Sequence, residues 1–143
     1  MMTLDEAVKK VRPLDEKAME GAIVVLCGDH GVVKEGVTQT DSSVTKIVAD
    51  NIASGKASIN IMAGKAGADV FPVDVGMVTD TKVRTDLKVA YGTRNMTREP
   101  AMTRDQAIRG IEAGIAMAEE LKEKGYQMTS TVNDAYRVFS NNV

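Results

Sequence analysis

The chain has one cysteine, one histidine, no tryptophan, three tyrosines and two phenylalanines in 143 residues. A lone cysteine, Cys27, excludes an intrachain disulfide and fits a reducing compartment. It closes an apolar run, which favours a buried inert thiol over a nucleophile. With no CxxC or HxxxH spacing, metal ligation is not expected. So few aromatic rings leave little material for the base-stacking platforms of RNA-binding proteins. A formal net charge of -2 gives no reason to expect nucleic acid or an anionic membrane as partner. Neither a long apolar stretch nor a signal-peptide pattern is present, and a cytoplasmic protein is expected. GxGxxG and Walker A patterns are also absent, which removes the common dinucleotide and P-loop modes of binding.

What is present points to α/β architecture. The length suits a single α/β domain over residues 1–143. Ile23-Val24-Val25-Leu26-Cys27 is a short apolar run ending at Gly28-Asp29-His30-Gly31, the pattern of a buried parallel strand. A long polar loop to Ser42 follows, and Val44, Ile47, Val48 and Ile52 recur at helical spacing. A second short helix is expected over Ala57–Ala66. Val70 to Gly76 reads as a second strand, placed at an edge or bulge by Pro72. Strand, helical crossover and strand make a parallel pair. Residues 1–20 read as a helical segment interrupted by Pro13. Residues 77–102 read as irregular and basic. Thr103 opens a helix with an apolar stripe of Ile108, Ile111, Ile115, Ala118 and Leu121. Tyr126-Gln127-Met128 reads as a third short strand, and residues 131–143 as a C-terminal helix.

Three constellations could carry chemistry. In open α/β sheets, ligands bind outside the carboxyl ends of the strands, where Gly28-Asp29-His30-Gly31 falls. There Asp29 could orient the His30 imidazole, or it could simply bond nearby amides in a turn. The run from Thr38 to Thr45 approaches a helix start, where Ser42 or Ser43 would cap and the amides would suit a phosphate or ring carbonyl. Tyr91 to Thr103 carries Arg94 and Arg98, which could hold a phosphate or carboxylate or tie the loop to its own acidic neighbours.

Four stretches in order, RPLDEKAM (12–19), CGDHGVVKEGVTQTDSSVT (27–45), INIMAGKAGADVFPVDVG (59–76) and GTRNMTREPAMTRDQAIRGIEAG (92–114), resemble the nicotinate-nucleotide:dimethylbenzimidazole phosphoribosyltransferases of cobalamin synthesis. The resemblance implies a reduced version of that family's Rossmann-like fold: a small parallel sheet with helical crossovers, in a homodimer. It implies small-molecule substrates and no cofactor. The family's reaction joins the ribose phosphate of nicotinate mononucleotide to a nitrogen of dimethylbenzimidazole or a related base and releases nicotinate. Carried over by motif, the base pocket would comprise Asp29, His30, Thr38, Gln39, Thr40 and Val44. Thr40 stands where the family usually has serine, and Val48 where it often has glutamine. Arg94 and Asn95 would make phosphate or loop contacts. No residue matches the family's general base, so none is assigned as catalytic. Blocks expected between Met19 and Ala22 and after Met128 have no counterpart, so full catalysis would need a second chain. The alternatives are a non-catalytic base- or nucleotide-binding module, or a structural remnant.

Overall fold

A computed structural model describes residues 21–133. Three parallel strands form one sheet in the order β2-β1-β3: β1 (Gly21–Gly28), β2 (Ala68–Gly76) and β3 (Met128–Asn133). β1, the continuous apolar run, takes the centre, hydrogen-bonded on both sides. β2 is an edge strand, as Pro72 requires, since proline can donate no ladder bond.

Alternate residues of β1 serve two cores. Val25 and Cys27 pack with Ala49 and Ile52 of α1 (Ser43–Ala53), together with Met77 and Val83. Ala22 and Val24 pack on the opposite face with Val73, and with Met117 and Leu121 of α3 (Arg104–Glu123). α2 (Ser58–Lys65) completes the crossover from α1 to β2. A central strand buried on both faces explains why its sequence is apolar without alternation. Cys27 is fully buried. Among the described residues, no helix is long and apolar enough to cross a membrane.

Several expectations are corrected. The Thr103 cap forms as expected, its hydroxyl accepting the Gln106 N–H at 3.1 Å while Gln106 Oε1 accepts the Thr103 N–H at 2.9 Å. Leu121 of the expected stripe is buried and packs with Met117 against Ala22, Val24 and Val73, whereas Ile108, Ile111 and Ile115 are 41%, 66% and 53% exposed. At the start of α1, neither Ser42 nor Ser43 provides the cap. Asp41 Oδ1 accepts the Ser43 N–H at 2.8 Å, a charged acceptor displacing a neutral hydroxyl. The third strand begins only at Met128, and residues 131–133 lie in it rather than in a helix. The expected helix over residues 1–20 and the rest of the expected C-terminal helix fall outside the described residues.

Candidate functional site

β1 and β2 end side by side, and their carboxyl ends are tied into one rim. The Asp29 N–H donates to Gly76 O at 2.9 Å. Asp29 is buried, and its Oδ2 accepts the Val78 N–H at 2.8 Å, so its carboxylate holds the two strand ends together. Asp74 does the same within β2, its Oδ1 accepting the N–H groups of Gly76 and Met77. Of the two roles open to Asp29, the bonds show the turn-forming one.

A strap formed by residues 84–95 then runs along the outside of β2. Asp74 N–H donates to Arg84 O, Val89 N–H to Val75 O and Gly92 N–H to Gly76 O. The strap crosses to β1 where Thr93 N–H donates to Asp29 O at 2.9 Å and Gly31 N–H to Thr93 Oγ1 at 3.1 Å. Gly31 is required here. A Cβ at this position would lie 2.6 Å from Thr93 O and from the Arg94 carbonyl carbon. Backbone therefore packs directly on backbone, which only glycine permits.

Two recesses open on this rim and share His30 and Thr93. The smaller, about 200 Å³, has apolar walls from Leu26, Val75, Val89, Ala101, Met102 and Ala107. An apolar cavity of about 150 Å³ accepts a benzene ring, so this one can hold a ring or a pair of methyl groups. The larger is an open cleft of about 850 Å³, within the usual size of a small-molecule site at about 300–1,000 Å³. Its walls come from His30 and Lys34, from Asp41, Ser42 and Ser43, and from Tyr91, Thr93, Arg94 and Asn95 with Arg98 and Glu99.

Both arginines of the cleft are engaged with carboxylates. Arg94 Nη1 meets Glu99 Oε2 at 3.2 Å, and Arg98 Nη2 meets Glu35 Oε1 at 3.1 Å. Asn95 Nδ2 also donates to Glu35. The Asn95 hydrogen bond, then the Arg98 charge, hold the Glu35 carboxyl below the usual glutamate range. The Ser43 hydroxyl and N–H do the same for Asp41. The arginines thus tie the loop to its acidic neighbours. Exposed pairs such as Arg94–Glu99 are worth only about 0–1 kcal/mol, so an incoming phosphate can compete for Arg94 at little cost.

The structure therefore brings Asp29, His30, Arg94 and Asn95 to one rim. Thr38, Gln39, Thr40 and Val44 stand outside the walls of both recesses. The Thr38 and Thr40 hydroxyls lie 3.3 Å apart at the exposed surface of the loop leading into α1. Sequence reasoning passed over the apolar walls Ala101-Met102 and Val89-Ala90, whose only signal was small apolar residues in an otherwise polar stretch.

A family model described as Phosphoribosyltransferase matches residues 4–133. The nicotinate-nucleotide–dimethylbenzimidazole phosphoribosyltransferase of Geobacter metallireducens is 44% identical over 121 residues, 82% of this chain and 34% of that protein. This chain belongs to that family. The enzyme of the same name from Clostridium acetobutylicum is 34% identical over 135 residues, covering 90% of this chain and 38% of its own length. The crystal structure of CobT from Thermus thermophilus matches with a TM-score of 0.76 at 29% identity. That match covers 93% of this chain and 44% of the crystallised one. The chain spans about a third of the length of the curated relatives it matches. The parallel sheet with helical crossovers is thus a reduced version of the phosphoribosyltransferase fold.

Proposed function

We propose that the chain is a base-binding unit of this family, taking 5,6-dimethylbenzimidazole or a related base in the cleft beside His30. The base would be the acceptor for the ribose phosphate of nicotinate mononucleotide. The observation that carries this reading is the convergence of His30, the Asp41–Ser43 turn and the Arg94–Asn95 segment on one cleft. Ser43 and Thr93, whose hydroxyl protons go to Asp41 and Arg94 O, offer oxygens that can accept a ring N–H, and Arg94 is placed for a phosphate.

Transfer of ribose needs a carboxylate to take the proton from the incoming nitrogen as the bond to C1′ forms. The cleft carboxylates are poorly suited to that task. Asp41 is stabilised in its charged form by Ser43, which weakens it as a base, and Glu99 is held by Arg94. The general base would therefore be supplied by residues other than those described here. A complementary chain in the cytoplasm would bring such a residue and complete the site.

Two measurements test this reading together. Titration calorimetry with 5,6-dimethylbenzimidazole should show saturable binding. Incubation of the purified chain with the base and nicotinate mononucleotide should give no α-ribazole phosphate by mass spectrometry. Product formed at ordinary enzyme rates would refute the assignment of the base to residues elsewhere. A silent titration would refute base binding itself.

A further inference from the structure

Tyr91 is 64% exposed and lines the cleft, yet it is held at two points. Its hydroxyl donates to Asp80 Oδ1 at 3.0 Å. One face of its ring is covered by Lys88 Nζ, 3.7 Å from the ring centre. Lys88 is itself anchored from below: its ammonium lies 3.1 Å from Oδ2 of the fully buried Asp74. That contact is an ion pair without hydrogen-bond alignment, so neither atom has a directed partner. The ammonium is therefore fixed between a buried carboxylate and an aromatic face, with only 11% of the side chain exposed. An exposed tyrosine normally keeps its rotamer freedom, and ordering it on ligand binding opposes affinity. Here that ordering is already done by the fold.

We propose that Tyr91 is a stacking plate for a neutral heteroaromatic ring in the cleft, and that Asp74 and Lys88 position it. Stacking on the outer face follows from the geometry, because the inner face is occupied by the ammonium. With one face under the ammonium and the hydroxyl bonded to Asp80, the ring presents its outer face already ordered for a flat partner such as a benzimidazole or purine. This deepens the base-binding reading and names a side chain that holds the ring within it.

The test uses the full chain and two small probes, 5,6-dimethylbenzimidazole and adenine. Binding is measured by calorimetry, and ring stacking by upfield shifts of the Tyr91 ring protons. Both rings should bind and shift those protons. Tyr91→Phe should retain affinity within about twofold, while Tyr91→Ala should lose about three- to tenfold. Lys88→Met should weaken binding and reduce the ring-proton shifts, and Lys88→Arg, which keeps a cation on the inner face, should restore both, a response that loss of packing alone would not give. Thermal melts of each variant separate folding from binding. Unchanged affinity in a folded Tyr91→Ala would overturn the proposal, and so would a Lys88→Met chain that binds as tightly as the unaltered one. If adenine binds through Tyr91 and dimethylbenzimidazole does not, the substrate reading fails and the stacking plate stands. If no neutral ring binds the unaltered chain, both fall.

Discussion

Replacing Gly31 by alanine should separate the two halves of the rim. The added Cβ would meet Thr93 O and the Arg94 carbonyl carbon at 2.6 Å and Asn95 N at 2.7 Å. Ordinary contacts lie at about 3.5–4.0 Å, so the strap must retreat by about 1 Å. All three obstacles are backbone, and no rotamer change can relieve them. The retreat would strain the Gly31 N–H to Thr93 Oγ1 bond and the Thr93 N–H to Asp29 O bond. Overpacking costs about 1–3 kcal/mol and each lost hydrogen bond about 1 kcal/mol net. A loss of about 3–5 kcal/mol is expected if both bonds open. With a urea dependence of about 1–3 kcal/mol per molar, the unfolding midpoint should fall by roughly 1–5 M. The matched control is Gly36→Ala, where φ is +72° but nothing lies within 4 Å, so only the left-handed backbone cost of about 1–2 kcal/mol applies. Amide exchange at Thr93 should quicken in Gly31→Ala and not in the control. A Gly31→Ala chain as stable as Gly36→Ala, with Thr93 protection intact, would refute the backbone-on-backbone account of the rim.

Asp29→Ala should cost about 1–3 kcal/mol by leaving the Val78 N–H without its acceptor, whereas Asp29→Asn, which keeps an acceptor oxygen, should recover most of it in the same urea titration. Gly114→Ala, with open space around the helical backbone, should raise stability by about 0.5–1 kcal/mol; a loss would mean that α3 packs more closely than described. Acid should destabilise the fold in a defined window. Asp86 is held below its ordinary 3.8 by hydrogen bonds from Arg84, and Glu120 below its ordinary 4.5 by Lys124 and then Arg84. The unfolded chain, with ordinary values, binds more protons than the folded one in that range. Their contribution is complete above the ordinary values and is lost as pH falls through the lowered ones, so the urea midpoint should hold from pH 7 to 5 and fall below about 4.5. A midpoint that rises on acidification would contradict the sign.

The central strand was legible because Ile23 to Cys27 is a continuous β-branched and apolar run, which a strand buried on both faces demands. Pro72 likewise marked β2 for an edge or a bulge, and the strand lies at the edge. The face of α3 was not legible. Two apolar stripes lie on that helix, and hydropathy ranks the isoleucines first. Leu121, shared by both, is buried with Met117 against Ala22, Val24 and Val73, while Ile108, Ile111 and Ile115 face outward. β3 was misplaced because Thr129-Ser130-Thr131 has no apolar signal; its pairing with β1 decides its conformation. At the site, Asp29 and His30 stood out by their place after a strand. The meeting of Arg94 and Asn95 with His30 rests on contacts sixty or more residues apart in sequence, Thr93 with Asp29 and Gly31 and Asn95 with Glu35, which local pattern cannot show. The hydroxyls of Thr38 and Thr40 were drawn in by motif, and they lie on the loop surface outside the cleft walls.

The central claim, a base held in the cleft beside His30, is tested most directly by proton-nitrogen NMR of the full chain titrated with 5,6-dimethylbenzimidazole. The single histidine gives one unambiguous pair of imidazole signals at the junction of the two recesses. The account predicts a saturable shift of those signals together with the amides of Ser43 and Asn95, while the amides of α2 stay still. Unmoved His30 signals at saturating base, or shifts confined to α2 and β3, would contradict it.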